Sequence, residues 1–244
     1  YEGYAQIKQP NLAAPCKAAC PAHVPAQAYV REVARGDFRR AYNLITGKNP
    51  LQSVCGIICN HACEAECTRG EIGTPIPIRE IKRFVIEYGR KQFWKPDVKF
   101  AAKRNKKVAV IGSGPAGLSC AWDLTKAGYD VTVFEREKQL GGMLRYGLPG
   151  FRMNRATLDE EIETLREAGI SFITGKRFGQ DITVESLKKE GFAAVFVGAG
   201  AQEGRKLGIS GEDTEGVVPA LDFLKSVNEE QVLDIGVHDI RIPD

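Results

Sequence analysis

Four cysteines stand at intervals of four in the stretch CGIICNHACEAEC, at Cys55, Cys59, Cys63 and Cys67, and a further pair, Cys16 and Cys20, precedes them. Three chemistries use thiols in such clusters. Disulfide frameworks belong to small exported domains, whereas this run adjoins a cofactor-type α/β pattern and no secretory signal is visible. Structural zinc takes four ligands, usually from paired C-x2–4-C units, and six cysteines with a repeated three-residue gap fit it less well. Closely spaced thiolates are the usual ligands of 4Fe-4S clusters, and soft sulfur suits that chemistry. The spacing therefore favours an iron–sulfur site, with zinc and disulfides still open on spacing alone. His61, between Cys59 and Cys63, reads as a polar neighbour of the site rather than a ligand, and His23 and His238 carry no motif.

The second candidate site is the stretch VAVIGSGPAG. Gly112, Gly114 and Gly117 form G-x-G-x-x-G directly after an apolar strand pattern and at the head of a helical one, and Glu135 ends the next strand pattern. That context gives the motif its weight, because the acid falls close to the separation of about 20 residues expected in a dinucleotide site. Gly112 permits the tight turn, Gly114 lets a pyrophosphate approach the backbone, and Gly117 allows helix to pack on strand. The helix N-terminus offers amide donors to phosphate, and the Glu135 carboxylate can accept from a ribose diol. NAD and FAD both satisfy this pattern. Further small-residue surfaces at Gly141, Gly142 and Gly198–Gly200 favour the longer, extended FAD. The candidate cofactor contacts are Gly112, Ser113, Gly114, Pro115, Ala116, Gly117, Glu135, Arg136, Gly141, Gly142, Met143, Arg145, Phe178, Ala199 and Gly200. Cys120 lies in the first helical stretch and reads as core. No C-x-x-C stands near these elements, which argues against a disulfide-reductase mechanism.

These residues need elements to hold them. Residues 1–95 read as helical. VPAQAYVREVARG runs from Val24 to a stop at Gly36, DFRRAYNLITG has Asp37 as N-cap and Gly47 as stop, and IREIKRFVIEYG places Ile78, Ile81, Val85 and Tyr88 on one face. One continuous helix through the cysteine run would stack its thiols on a drifting stripe. Gly56 and the need to surround a compact cofactor predict short helical turns instead. Residues 96–106 read as a linker, including most of the basic run Lys103–Lys107. From 107 to 244 the pattern is strand, glycine turn, helix and strand, then a helix at about 157–168, a short strand ISFITG, a helix at about 184–189 and a buried strand AAVFVGAG. The fold class is an α-helical iron–sulfur domain followed by an α/β Rossmann-like FAD-binding domain.

Composition adds limits. The net charge is +3, on 34 basic and 31 acidic residues, which is too balanced to argue for nucleic acid or an anionic membrane surface. No apolar run approaches the roughly 20 residues of a membrane span, and a cytoplasmic location is expected. The first residue is Tyr1, so the chain reads as a fragment or as part of a longer polypeptide.

PCKAACPAHVPAQAYV, VCGIICNHACEAECTRG and PIREIKRF resemble the N-terminal iron–sulfur domain of the glutamate synthase small-subunit family. That family has relatives in dihydropyrimidine dehydrogenase and in NADH-dependent ferredoxin:NADP oxidoreductases. VAVIGSGPAGLSCAWDL, FEREKQLGGMLRYGLPGFR and FVGAGAQEGRKLGISGED look like its FAD-domain segments. The resemblance implies a helical 4Fe-4S domain, then an FAD domain into which full-length members insert an NAD(P)H domain. No second glycine loop follows here, so the FAD domain is expected to be incomplete at the C-terminus and the chain to be the front part of a larger flavoenzyme.

Two-cluster members carry C-x2-C-x4-C-x3-C-P, of which only Cys16 and Cys20 are present before Pro21. By family position, Cys20, Cys59 and Cys63 share one cluster, Cys16 and Cys67 belong to the other, and Cys55 matches no assigned ligand position, although it could compensate. A Gln or Glu ligand of some members aligns with Lys82, a poor ligand when protonated. One complete cluster is expected, with a second left open, and Cys16, Cys20, Cys55, Cys59, Cys63 and Cys67 are the candidate metal ligands. The resemblance implies electron transfer between NAD(P)H, FAD and 4Fe-4S to other redox subunits or domains of a larger complex, with no catalytic side chain required. Alternatives are an electron-bifurcating flavin subunit, or a relay or scaffold subunit.

Overall fold

A computed structural model describes residues 13–229 of the 244-residue chain; His238 and the stretch HDIRIPD lie outside them. The first part is helical: α1 (Pro15–Ala18), α2 (Ala26–Ala34), α3 (Phe38–Thr46), α4 (Gln52–Ile58), α5 (Ala62–Ala65), a 3-10 turn (Thr68–Glu71) and α6 (Ile78–Lys91). Local chemistry sets several boundaries. The Asp37 carboxylate accepts from the Arg40 N–H at 2.9 Å and caps α3, which ends at Gly47. Gly36, with φ 78°, turns the chain between α2 and α3. Val24, Tyr29, Ala41, Tyr42, Ile45, Ile78, Val85 and Ile86 form one core, against which Cys16, Cys20 and Cys63 pack.

The cysteine run is three short helical pieces, as the need to wrap a cofactor predicted. α4 stops at Cys59, whose backbone is extended. His61 then takes the left-handed conformation (φ 48°) and starts α5. The buried side of α6 differs from the expected stripe. Ile78, Lys82, Val85, Ile86 and Gly89 face inward, so a lysine occupies an interior position.

The second part holds β1 (Lys107–Ile111), α7 (Pro115–Lys126), β2 (Asp130–Phe134), α8 (Met143–Tyr146), α9 (Arg155–Glu167), β3 (Ser171–Ile173), α10 (Val184–Lys189), β4 (Phe192–Val197) and α11 (Ala220–Asn228). The four strands are parallel in the order β3-β2-β1-β4, with Val110 opposite Val133 and Phe196. The order reverses at β1, which has its successor β2 on one side and β4 on the other. Such a switch point opens a crevice at the carboxyl ends of the strands. β1 is buried along nearly its whole length.

β4 departs from expectation. The sequence predicts a buried strand, but β4 is the sheet's edge among the described residues, with Phe196 37% and Val197 56% exposed. An apolar run is buried on both faces only where layers cover both, and here α10 and Phe134 cover one side only.

The two parts are packed together. Leu51 and Val54, flanking and within α4, are buried in the same core as Val110, Leu118, Trp122, Leu158 and Leu165. The segment 96–106 runs over the end of α7, where the Ala101 N–H donates to Lys126 O and the Arg104 N–H to Gly128 O, both at 2.8 Å.

Candidate functional site

The glycine turn joins β1 to α7, and its three glycines have distinct surroundings. A Cβ on Gly117 would lie 1.9 Å from Gly112 O, and one on Gly112 (φ 96°) would lie 2.5 Å from Gly198 O. Both positions are closed by backbone. A Cβ on Gly114 would meet no protein atom within 4 Å. Gly114 therefore needs no small residue for the protein's own packing, and its bareness leaves room for something else. It is the N-cap of α7, and no side chain caps that helix end. Orphan amides at a helix start are an anion site when a ligand supplies the partner.

A cleft of about 590 Å³ opens at this point. Gly112, Gly114, Pro115, Ala116, Glu135, Arg136, Gly142, Met143, Phe178, Ala199 and Gly200 of the sequence candidates line it. Ser113, Gly117, Gly141 and Arg145 support it from behind. Ser113 is fully buried. Arg145 is buried and bonded to Leu140 O and the Asp159 carboxylate, which braces the turn that carries Gly141 and Gly142. Gly142 sits so close to Gly114 that a Cβ would come within 2.8 Å of its Cα.

Glu135 is 6% exposed and partly engaged by the protein. Its Oε2 accepts from the Ser113 N–H at 2.9 Å and the Ser113 Oγ–H at 2.6 Å, and its Oε1 accepts from the Glu137 N–H at 3.0 Å. The acid thus also buckles the glycine turn onto β2, and Oε1 keeps acceptor capacity toward the cleft. Sequence reasoning missed Tyr146, Lys176, Arg177, Gln202 and Lys225 on the cleft wall. Tyr146 and Gln202 lie in segments that resemble the family, and Lys176, Arg177 and Lys225 lie in no motif. α11 folds back over the cleft through a Lys225–Glu137 ion pair of 3.0 Å and the Asn228 Nδ2 bond to Tyr146 O at 2.8 Å.

The cysteines separate into groups. Cys20 follows α1, Cys59 ends α4 and Cys63 lies on α5. These three line one small cavity with Val24, Tyr29, His61, Ile78, Arg79 and Lys82. Cys16 is close enough to act electrostatically on Tyr29, as Cys20 and Cys63 do. Cys67 faces a separate groove beside Pro15 and Pro75. Cys55 lies on α4, where its Sγ accepts from Asn49 Nδ2 at 3.1 Å. Cys120 packs against the core around Trp122. Among the described residues no three Cys, His, Asp or Glu side chains converge where a single ion could sit. Thiols from three elements around one apolar-walled cavity suit a polynuclear cluster better than a lone ion. Burial first, then the neighbouring Cys20 and Cys59, pushes the Cys63 thiol up to about 11. Ligation there must displace a tightly held proton.

Two family models match. Residues 11–94 match dihydropyrimidine dehydrogenase domain II, 4Fe-4S cluster, and residues 110–157 match the NAD(P)-binding Rossmann-like domain. The chain is 35% identical to the NADP(+)-dependent formate dehydrogenase subunit beta of Moorella thermoacetica, over 90% of this chain and 34% of that one. It is 37% identical to the NADPH-Fe(3+) oxidoreductase subunit beta of Geobacter sulfurreducens, over 82% of this chain and 30% of that one. It is 38% identical to the glutamate synthase (NADPH) small chain of Mycobacterium tuberculosis, over 82% of this chain and 41% of that one. The chain thus spans 30–41% of the length of these relatives. With its helical 4Fe-4S-type domain and its Rossmann-like domain, it is a homologue of the glutamate synthase small chains and the related NADPH-dependent oxidoreductase beta subunits.

Proposed function

We propose that this chain is an electron-transfer module that binds FAD and one 4Fe-4S cluster and works with NADPH and partner redox subunits or domains. One observation carries the reading: three thiols from separate elements surround one cavity in the same packed unit that opens a bare glycine turn at the sheet's switch point. The module divides into a helical iron–sulfur domain (1–95), a linker (96–106) and the first part of an FAD domain (107–244). When bound, a flavin exchanges two electrons with a nicotinamide and a cluster exchanges one at a time, so the pair links hydride chemistry to single-electron transfer.

The residues have separable tasks. The uncapped start of α7 binds the pyrophosphate at Gly114, Pro115 and Ala116. Glu135 accepts from the ribose through Oε1 while Ser113 holds the other carboxylate oxygen. Arg136 and Arg177 flank the phosphate path, and Met143, Phe178 and Gly198–Gly200 line the rest of the cleft. Cys20, Cys59 and Cys63 hold the cluster, and Val24, Tyr29 and Ile78 shield it from water. Cys67 faces a separate groove, while Cys16 packs on the same core as Cys20 and Cys63 without lining their cavity. No side chain is assigned an acid or base role. NADPH as electron source and a multi-subunit setting rest on the names of the relatives. A cytoplasmic site of action agrees with the described helices, none of which is long and apolar enough to cross a membrane.

The test is anaerobic purification of the full polypeptide followed by iron, acid-labile sulfide and flavin analysis. The reading expects about four irons and as many sulfides per chain for one cluster, with FAD, and bleaching of both chromophores by NADPH. Zinc without iron would refute the cluster. Iron without any flavin would refute the cleft assignment.

A further inference from the structure

The interior stripe of α6 carries one charged residue. Lys82 is 7% exposed and lines the cavity of Cys20, Cys59 and Cys63. The arginines of α6 are paired: Arg79 with Glu80 at 3.0 Å, Arg83 with Glu87 at 2.7 Å and Arg90 with Glu160 at 2.6 Å. Among the described residues no carboxylate forms an ion pair with Lys82. Glu64, on α5 beside Cys63, accepts from the Arg79 N–H at 2.8 Å and lies 3.5 Å from His61 Nδ1. The groups that share its cavity are the thiols of Cys20, Cys59 and Cys63. A largely buried lysine with no paired carboxylate favours an anion beside it, and the thiol cavity it lines is where one can sit.

A thiolate-bound iron–sulfur cluster is such an anion. Its net charge is negative and becomes more negative by one on taking up an electron. A fixed cation at the cavity wall stabilises both redox states, and the reduced state more. We infer that Lys82 is the built-in counter-ion of the Cys20/Cys59/Cys63 cluster: it is a positioning and tuning residue, not a ligand, and it raises the cluster's reduction potential. Net charge near the cluster is one of the terms that set such potentials. In the reduction step one electron enters and no bond is made or broken. The inference rests on the proposal that these thiols hold a cluster.

The experiment uses the purified, anaerobically handled full polypeptide with Lys82→Arg, Lys82→Leu and Lys82→Met. Iron and sulfide are measured first, then the cluster is titrated with dithionite in the presence of mediators and followed by EPR. Lys82→Arg keeps the charge and is expected to match the wild type. Lys82→Leu and Lys82→Met are expected to make the reduced cluster at least tenfold less populated at a given potential, a shift of 59 mV for a one-electron couple. Retention of the cluster by Lys82→Arg alone, with an unshifted midpoint, would also support a counter-ion, since charge and not the amine group is then required. Unchanged midpoints in Lys82→Leu and Lys82→Met would overturn the inference. So would loss of iron from all three variants with helix content intact, because Lys82 would then be a ligand. A wild type without iron would defeat the cluster proposal itself, an outcome separate from all of these.

Discussion

Glu161 gives the sharpest quantitative test. It lies on α9, and its Oε1 accepts from the Ser53 N–H at 2.5 Å, across 108 positions of sequence. That bond caps the start of α4 from the other half of the molecule. Its Oε2 is inaccessible and has no hydrogen-bond partner among the described residues. Burial dominates and raises the carboxyl from 4.5 to about 7, against the opposing bonds from Ser53 and Val54 and the charge of Arg90. Each pH step of one across that interval is worth about 1.36 kcal/mol, so holding the ionised form in place costs about 3 kcal/mol. The sign follows from linkage. Between pH 4.5 and 7 the folded state keeps the proton and the unfolded state loses it, so this stability is full below 4.5 and is lost as pH rises through 7. Glu161→Gln keeps an oxygen for the Ser53 N–H and has no proton to lose. The variant should match the wild type near pH 4.5 and exceed it by about 3 kcal/mol at pH 8. For a chain of this size 1 kcal/mol moves Tm by about 2–4 °C, so the gain at pH 8 should be several degrees and roughly 10 °C at most. Thermal melts of both proteins from pH 4.5 to 8.5 supply the difference, in which all other titrating groups cancel. A difference that stays flat with pH, or a variant that melts below the wild type at pH 8, would refute the buried-acid account.

Gly114→Ala should fold with nearly unchanged Tm but lose bound flavin on gel filtration, because its methyl enters only the open cleft. Gly117→Ala, with its methyl 1.9 Å from a carbonyl oxygen, should destabilise by at least the 1–3 kcal/mol typical of overpacking; equal behaviour of the two variants would contradict the division of roles in the turn. Cys59→Ser and Cys63→Ser should each lose iron while Cys120→Ser keeps the wild-type content by metal analysis, and full iron in both of the first two would rule out the shared cavity as the cluster site. Glu135→Ala strands the Ser113 hydroxyl and two backbone N–H donors, each worth about 1–3 kcal/mol when left buried and unpaired. It should therefore lower Tm even without flavin, and a loss of flavin at unchanged apo-protein Tm would show that Glu135 serves the ligand alone.

The glycine turn was legible because each of its requirements is local. A turn, a backbone approach and a helix–strand contact fall at fixed offsets, and the structure closes Gly112 and Gly117 while leaving Gly114 bare. The short helices around the cysteines follow from the same kind of local information. What a spacing of four residues cannot tell is which thiols point to one place. That is decided by the extended backbone at Cys59 and the left-handed turn at His61, which send Cys63 inward and Cys67 to another groove. β4 misleads because an apolar run reports what would be tolerated on two buried faces, not how many layers arrive. Glu161 is hidden for a further reason. In TLDEEIETLREAG it reads as one more acid on an amphipathic helix, and only a contact 108 positions away distinguishes it from exposed Glu160.

α4 brings these strands of evidence to one element. Its start is capped by Glu161 of α9, its Val54 and the preceding Leu51 are buried in the Rossmann core, and its last turn delivers Cys59 to the thiol cavity. Gly56 is on the same helix, where a Cβ would lie 3.3 Å from Arg83 Cα, so α4 also fits closely against the helix that carries Lys82. A seven-residue helix is too short to be stable by itself. It exists only because both halves of the molecule hold it, one by capping and burying its front and the other by packing its side. The thiol cavity and the glycine cleft are therefore not placed by a flexible connection. The linker at 96–106 follows in sequence, but the relation between the two sites is fixed upstream of it, by the contact between α4 and α9. A module that hands electrons from one group to another needs a constant geometry between them, and here the geometry between cavity and cleft is set by the element that ends at Cys59.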